Sequence, residues 1–329
     1  MLVNPTISDP AISLSSDRKL GTPGVCAGCG HRNGSTFLEA PDRYHGRTES
    51  YRLVRCASCS LVWLDNPPQP AEMGVHYGAD YDRSVAAAGE EKNRCKSRWE
   101  VLLQHKSACA ILDLGCSAGG FLEGLKNSSW KLHGIEMSHE VARKAEARTG
   151  AAVFVGDILD APYPPGSFDA ITCFHVFEHL YHPQEVLARV AEWLKPGGIF
   201  YAMMPNIDSA GRRIFKSYWY ALELPRHLFH FSPKSLRKLA GAVGLEEVSV
   251  TTNHEIFIEQ STGYILDDLL RKVGVNRKPP AQAVQPGIPF RILRKAFRVS
   301  ALPVLNGIAG LAGDGESIHA ILRKSTTPS

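Results

Sequence analysis

Short apolar segments alternate with polar helical segments between residues 110 and 203, and this alternation limits the fold more than any other feature. Alternation of this kind builds a parallel sheet with helices on both faces. A Lys195-Pro-Gly-Gly turn is expected to close the last helix before the next strand. The predicted strands span 110–114, 131–136, 152–155, 168–174 and 199–203, and the predicted helices span 121–127, 139–149 and 183–194.

The flanking segments follow other patterns. Residues 206–231 are aromatic and basic without a clear period, and a helix over 232–243 and a strand over 245–251 follow them. The expected organisation is a flexible leader (1–24), a zinc-binding module (25–66), a linker with a helix at 90–106 (67–107), and a catalytic domain (108–329). That last domain would contain an acceptor-side segment (206–231), a helical insertion (255–312) and a final strand (316–323).

The segment from Ile111 to Phe121 is a strand that ends in a carboxylate and turns through small residues into a helix. Such a turn lets the backbone approach a bound nucleotide closely. A dinucleotide site needs a G-x-G-x-x-G pattern whose middle glycine admits a pyrophosphate. Here Ser117 occupies that middle position, and Asp113 would repel a pyrophosphate. The same carboxylate would attract a cofactor with a cationic amino-acid tail, which indicates S-adenosylmethionine.

Two further carboxylates end the next two strands. Glu136 lies where a carboxylate accepts hydrogen bonds from both hydroxyls of a ribose, and Asp157 lies where one accepts from an adenine amino group. Because ligands of open α/β sheets bind at the carboxyl ends of the strands, the three acids predict one shared site.

Residues 108–205 resemble class I S-adenosylmethionine-dependent methyltransferases, especially the small-molecule branch around the ubiquinone-biosynthesis O-methyltransferases. The matching motifs are Asp113-Leu-Gly-Cys-Ser-Ala-Gly, Glu136, Gly156-Asp157, Phe168-Asp169, His175-Val-Phe-Glu-His and Leu194-Lys-Pro-Gly-Gly. The resemblance implies a seven-stranded Rossmann-like sheet with an antiparallel last strand. Ser117 departs from the glycine most common in the family. The implied cofactor contacts are Asp113, Gly115, Cys116, Ser117, Gly119, Phe121, Glu136, Met137, Asp157, Ile158, Phe174 and His175.

Two cysteine pairs, Cys26 with Cys29 and Cys56 with Cys59, form a C-x2-C-x26-C-x2-C pattern. Four thiolates at this spacing suit a tetrahedral zinc ion and leave no open position, so the predicted role is structural. The alternative is a pair of reducible disulfides, but the scattered remaining cysteines favour metal binding in a reducing cytosol. Residues 25–82 look like the N-terminal zinc module of some bacterial methyltransferases, including sugar C-methyltransferases, where it helps cover the acceptor side.

His175, Glu178 and His179 match the H-x-x-E-H pattern of one class of zinc hydrolases. That site needs a long helix, and the preceding strand and the nearby Pro183 argue against one. We instead predict a loop beside the transferable methyl group, with His179 as a general base and Glu178 as its catalytic neighbour. The alternative is that both residues only brace the loop.

Residues 218–232 place Arg226, His227 and His230 among aromatic side chains, which predicts a lid over a polar acceptor. Because a Pro-Arg-His segment recurs in relatives at the acceptor side, His227 is a second candidate base. Tyr218, Arg226 and His230 are the candidate acceptor-binding residues. The alternative is a packed aromatic loop with buried, hydrogen-bonded histidines.

The chain has 37 basic and 33 acidic residues, and its net charge of +4 is too small to indicate a nucleic-acid partner. It shows neither a signal peptide nor an apolar run of roughly 18 residues, so a cytoplasmic location is expected. The basic amphipathic stretch 291–305 would suit weak contact with a membrane surface, although such stripes more often pack on their own domain or in a homodimer.

These features together predict a zinc-containing S-adenosylmethionine-dependent methyltransferase. Its acceptor would be a small polar molecule, free or linked to a sugar or lipid. A dinucleotide-dependent oxidoreductase and a non-catalytic docking protein built on the zinc module are the other functions considered. The three strand-end carboxylates argue against loss of the active site in such a docking protein.

Overall fold

The computed structural model describes residues 24–77, 88–105, 110–126, 128–253, 257–274 and 315–326. Most of the predicted leader, Cys109, the stretch 291–305 and most of the insertion 255–312 lie outside the described residues. The strands are β1 (Gly34–Pro41), β2 (Ser50–Cys56), β3 (Val62–Leu64), β4 (Ala110–Leu114), β5 (Lys131–Glu136), β6 (Ala152–Val155), β7 (Phe168–Phe174), β8 (Leu194–Pro205), β9 (Phe229–His230), β10 (Leu245–Asn253) and β11 (Ser317–Lys324).

The helices are named in the same way. They are α1 (Pro70–Met73), α2 (Ala88–His105), α3 (Gly120–Glu123), α4 (His139–Thr149), α5 (Pro183–Trp193), α6 (Ala210–Phe215), α7 (Pro233–Gly241) and α8 (Phe257–Lys272). Short 3-10 turns occur at Gly74–His76, Ile158–Asp160, Phe177–His179, Lys216–Tyr218 and Tyr220–Leu222.

Seven strands form a mixed sheet in the order β10-β11-β8-β7-β4-β5-β6. The neighbours from β8 to β6 run parallel, whereas β11 runs antiparallel to both β8 and β10. The sheet confirms the predicted α/β class, including the antiparallel last strand. Because β4, β5, β6 and β7 are parallel neighbours, their carboxyl ends lie at the same edge of the sheet.

Local sequence signals explain the helix ends that were predicted well. The side chain of Ser138 accepts a hydrogen bond from the Val141 amide at the start of α4, and Gly150 ends that helix with a left-handed φ of 74°. Ser232 caps α7, and Pro233 occupies its first turn. These are the residue types that satisfy free backbone groups at helix ends.

Two predicted boundaries were wrong. The helix after the β4 turn is only Gly120–Glu123 rather than 121–127, and turns replace its second half. The strand predicted at 199–203 starts at Leu194, because Leu194 already pairs with Phe168. An irregular register between Phe168 and Ala170 accommodates the Lys195-Pro-Gly-Gly segment inside the strand.

A second, antiparallel sheet has the order β1-β2-β3-β9. Its first three strands come from the cysteine-rich region, but β9 comes from the segment 206–231. Next to the pairing of β3 with β9, the Leu64 amide donates to the Leu228 carbonyl at 2.8 Å. One buried apolar cluster runs through both sheets, from Leu61 and Trp63 to Phe231 and Leu236. The cysteine-rich region is therefore packed against the segment 206–231, for which a role at the acceptor is predicted.

In the part of the chain that the structure describes, no helix combines the length and the apolar character needed to cross a membrane.

Candidate functional site

The loop after β4 has the backbone shape that a close approach to a ligand requires. Gly115, Ser117 and Gly119 all have left-handed φ values, of 67°, 50° and 77°. A Cβ atom on Gly115 would lie only 2.5 Å from Cγ2 of Val176, in the loop after β7. The position therefore requires glycine for both its conformation and its space. Ser117 adopts the same left-handed conformation despite its side chain.

Asp113 lies near the carboxyl end of β4, where its side chain is buried and accepts a hydrogen bond from Thr172 Oγ1 at 2.7 Å. Burial raises the pKa of Asp113 to about 7, although the bond from Thr172 and the charge of Arg98 oppose this rise. Arg98 belongs to α2. A positively charged ligand group beside Asp113 would stabilise its ionised form.

Glu136, at the end of β5, connects that strand to the β4 loop by a hydrogen bond. Its Oε2 accepts from the Ser117 amide at 3.1 Å, and its Oε1 accepts from the Ser138 amide at 3.0 Å. Burial raises its pKa, and these backbone hydrogen bonds oppose the rise. Each carboxylate oxygen still has a lone pair for a ligand hydroxyl. Met137 follows directly and is half-buried.

Asp157 follows β6 and caps the Ile158–Asp160 turn, accepting from the Leu159 amide at 2.8 Å. Ile158 is buried beside it. Strand register explains the shared location, because Glu136 pairs with Val155 of β6 and Leu114 pairs with Cys173 of β7. The structure thus brings the three predicted carboxylates to one sheet edge. Cys116, by contrast, packs its sulfur against Gly134 of β5.

Aromatic side chains lie beside this edge of the sheet. The rings of Phe121 and Phe174 lie 4.9 Å apart, and the guanidinium of Arg98 lies 4.6 Å from the Phe174 ring centre. Trp99 Nε1 donates to the Phe121 carbonyl at 2.7 Å. Sequence reasoning predicted Phe121 and Phe174 but missed Arg98 and Trp99, which lie on a helix outside the motif.

The H-x-x-E-H segment forms a sharp turn rather than a long helix, because only Phe177–His179 is helical, as a 3-10 turn. His175 has a left-handed φ of 57°. Its Nδ1 lies 3.5 Å from Oε1 of Glu178, which is an ion-pair contact when the ring is protonated. The Glu178 carboxylate is buried, and neither oxygen has a hydrogen-bond partner within the described residues.

The two candidate bases, His179 and His227, lie together with their ring centres 4.6 Å apart. Nδ1 of His179 donates to the Arg226 carbonyl at 3.0 Å, and Nδ1 of His227 donates to the Ala221 carbonyl at 2.9 Å. A carbonyl only accepts, so each ring carries its proton on Nδ1. Burial lowers the pKa of both histidines to about 4, so both are neutral at pH 7.

Three residues that sequence reasoning did not assign complete this cluster. The Tyr77 hydroxyl lies 3.1 Å from Nδ1 of His179, and Glu223 Oε2 lies 3.3 Å from Nε2 of His227. Arg226 forms an ion pair with Glu223, and its guanidinium lies 4.3 Å from the Tyr44 ring centre. Tyr44 and Tyr77 come from the cysteine-rich half of the chain. The resemblance of residues 25–82 to a module that helps cover the acceptor side is the one sequence signal that points toward them. No local motif assigns the two side chains themselves, because their contacts span more than a hundred residues.

Tyr218 and His230, two of the predicted acceptor-binding residues, lie in different environments. The Tyr218 hydroxyl donates to Asp268 of α8 at 2.8 Å, and Arg43 stacks on its ring at 3.8 Å. His230 lies in β9, where it is buried and neither ring nitrogen has a hydrogen-bond partner among the described residues. Its ring centre is 6.1 Å from that of His227.

The four paired cysteines meet at one point. The sulfurs of Cys26 and Cys59 are 3.4 Å apart, those of Cys29 and Cys56 are 3.6 Å apart, and all four lie within 4.8 Å of one another. These separations exceed a disulfide bond of about 2.05 Å and suit ligands around one tetrahedral ion. Both knuckles turn through left-handed residues, Gly30 and Ser60.

Comparison with known proteins agrees with this geometry. A family model described as "Methyltransferase domain" matches residues 81–250. The chain is 28% identical over 173 residues to a ubiquinone biosynthesis O-methyltransferase of Thiobacillus denitrificans, covering 49% of this chain and 75% of the relative. The protein of the same name from Paraburkholderia phymatum is 28% identical over 167 residues, covering 47% and 72%.

Among solved structures, phosphoethanolamine N-methyltransferase 2 of Haemonchus contortus in complex with S-adenosyl-L-methionine has a similar fold. The TM-score is 0.50 at 16% identity, and the match covers 80% of this chain and 63% of that chain.

The glycine requirement in the β4 loop gives a first prediction. Replacing Gly115 by alanine adds left-handed strain and a clash with Val176, and costs of this type reach roughly 1–3 kcal/mol. We expect S-adenosylmethionine to bind about tenfold more weakly in calorimetric titration. Gly150→Ala is the matched control, since its φ is 74° but nothing lies within 4 Å of the added carbon. Equal affinities in the two variants would contradict the assigned role of the loop.

Proposed function

Because this chain belongs to the methyltransferase domain family, we propose that it transfers the methyl group of S-adenosylmethionine to a hydroxyl group of a small polar acceptor. The family and its relatives establish an S-adenosylmethionine-dependent methyltransferase. Activation of the acceptor rests on one observation, the largely buried cluster of Glu178, His179 and His227 beside the end of β7.

The proposed cofactor pose follows the three strand-end acids. Asp113 would face the cationic amino-acid tail, Glu136 the ribose hydroxyls and Asp157 the adenine amino group. Opposite charges attract strongly in a partly dry cleft, which favours this direction of binding over the reverse. The sulfonium methyl would then lie near Phe174 and His175, at the entrance to the histidine cluster. This orientation would place the methyl donor and the acceptor side next to each other.

The chemistry is an in-line displacement at the methyl carbon. The acceptor oxygen loses its proton and forms a bond to carbon, while the carbon–sulfur bond breaks and leaves S-adenosylhomocysteine. The protein therefore has to align the two molecules and activate the hydroxyl. We assign activation to His179 and His227, since two neutral imidazoles lie there together. The names of the relatives, O-methyltransferases, favour oxygen as the acceptor atom.

We further propose that Cys26, Cys29, Cys56 and Cys59 bind a structural zinc ion. Four sulfur ligands leave no coordination position for a reactant. The ion would hold the ends of β2 and the turn into β3, and β3 pairs with β9 next to His227. Tyr44 and Tyr77 reach the acceptor side from the same region. In this proposal zinc supports the acceptor site without taking part in methyl transfer.

The function is tested by transfer of radiolabelled methyl groups from S-adenosylmethionine into fractionated metabolites. We expect label in a hydroxylated small molecule, and an activity loss of about a hundredfold or more in His227→Ala, since acid–base activation contributes on that order. Cofactor affinity should remain unchanged. His182→Ala is the control, because His182 faces the exposed Glu185 outside the cluster. Full activity of His227→Ala would refute the role of the cluster.

Cofactor binding should depend on pH through Asp113. Burial places its pKa at about 7, so below that pH the free protein holds a neutral carboxyl group. A cationic amino group favours the ionised form, so affinity is lost as the pH falls through 7. We expect a fall of about tenfold for each pH unit below the pKa. Titration calorimetry should show this dependence in the wild type and in Asp160→Asn, but not in Asp113→Asn. A pH dependence that persists in Asp113→Asn would contradict the assignment.

The cysteine site is tested with Co²⁺ in place of zinc, since cobalt bound to thiolates gives an intense charge-transfer absorption. Metal-free, reduced protein should develop this absorption on the first equivalent of Co²⁺. The Cys29→Ser/Cys56→Ser double variant should lose it, whereas Cys95→Ser should keep it, because Cys95 is buried in a separate apolar cluster. Retention of the band in the double variant would exclude the four-cysteine site.

A further inference from the structure

Within the described ranges, three groups of side chains bring metal-ligand atoms to within 4.8 Å of one another. The first is the four-cysteine site. The second is Asp42 with His45 and His76, and the third is Glu178 with His179 and His227. The second and third groups resemble each other in composition, so their immediate surroundings decide which of them suits an ion.

The Asp42 group already contains its own cation. His45 Nδ1 lies 2.8 Å from Asp42 Oδ2, and the guanidinium of Arg47 lies 2.9 Å from Nδ1 of His76. Arg47 Nε also lies 3.9 Å from Asp42 Oδ2. Every member thus has a polar partner, and a metal ion would have to displace a fixed positive charge. This group is an internal ion network.

The Glu178 group contains no fixed cation of this kind. Its carboxylate is buried, and neither oxygen accepts a hydrogen bond from the described residues. His175 Nδ1 lies 3.5 Å from Oε1, a contact that carries charge only when that ring is protonated. Arg226 forms its ion pair with Glu223 instead. Because buried carboxylates are normally hydrogen-bonded, paired with a cation or bound to a metal, the hydrogen-bonding capacity of Glu178 is left unused.

The two histidines are oriented as metal ligands usually are. Each donates its Nδ1 proton to a backbone carbonyl, Arg226 for His179 and Ala221 for His227. A bond of this kind fixes the ring and leaves the lone pair on Nε2, which is the usual arrangement around a bound metal ion. Nε2 of His227 also lies 3.3 Å from Oε2 of Glu223. A lone pair facing a carboxylate is repulsive, and a cation at Nε2 would remove that repulsion.

We propose that Glu178, His179 and His227 bind a divalent metal ion of the imidazole-binding class, such as Zn²⁺, with an open position for the acceptor oxygen. Two histidines and one glutamate are a ligand set of catalytic zinc sites, in which the fourth position takes water or substrate. The assignment of the open position rests on the proposed function. With Nε2 of both rings bound to the ion, His179 and His227 would activate the hydroxyl group through the metal and not as free bases. The bound ion would lower the pKa of the hydroxyl group, whose proton would pass to water. The oxygen then forms its bond to the methyl carbon as the carbon–sulfur bond breaks.

The experiment is a titration of the metal-free, reduced full-length protein with Co²⁺, followed by absorption and equilibrium dialysis. We expect a second equivalent to bind in addition to the four-cysteine site, with d–d absorption but no added thiolate charge transfer. Glu178→Gln and His227→Ala should lose this second equivalent and keep the first. His182→Ala and His45→Ala should retain both, and His45→Ala controls for the Asp42 group. Retained binding of S-adenosylhomocysteine shows that each variant is folded.

Two results would overturn the metal site. One is a wild-type protein that binds only the cysteine-site equivalent. The other is a second equivalent of Co²⁺ whose binding does not depend on the proposed ligands. Such an equivalent would persist in both Glu178→Gln and His227→Ala, or would be lost in His45→Ala. Metal uptake is measured without an acceptor, so it is independent of methyl transfer. If the second equivalent binds as expected while no hydroxylated metabolite is labelled, the metal site stands and the proposed function fails.

Discussion

The site depends on one constraint, that parallel neighbouring strands end at the same edge of their sheet. The register of β4, β5, β6 and β7 places the residues after each strand side by side. Asp113, Glu136 and Asp157 come together although more than forty residues separate the first from the last. Glu136 then holds the Ser117 amide, so the β4 loop is tied to the edge that it helps to form. Sheet order, rather than any local motif, assembles the proposed cofactor site.

The proposed acceptor site depends on a second contact, the pairing of β3 with β9. This pairing joins the four-cysteine region to the segment that carries Arg226 and His227. The Leu228 amide in turn donates to the Glu178 carbonyl at 2.9 Å, which links the same segment to the turn after β7. The four cysteines, the strand pairing and the two histidines thus form one continuous path. This path gives a physical reason for the proposed zinc site in a methyltransferase.

Local signals made much of the fold predictable, and distant contacts explain what was missed. The carboxylates at strand ends, the serine caps of α4 and α7 and the cysteine spacing all act over a few residues. Tyr44 and Tyr77 could not be predicted in the same way, because their contacts with Arg226 and His179 join segments far apart in sequence. Glu223 is different, because its partners Arg226 and His227 are only three and four residues away, yet no motif marks it. Tyr218, predicted to bind the acceptor, also has contacts with distant residues, since its hydroxyl donates to Asp268 and its ring packs against Arg43. Strand β8 begins early because a tertiary partner, Phe168, extends the pairing.

The most direct measurement is a crystal structure of the protein with S-adenosylhomocysteine. The account predicts that both ribose hydroxyls lie within hydrogen-bond distance of the Glu136 carboxylate, with the adenine at Asp157. The sulfur would lie near Phe174 and face the cluster of Glu178, His179 and His227. A ligand bound away from Glu136, or one whose sulfur points away from that cluster, would contradict the account.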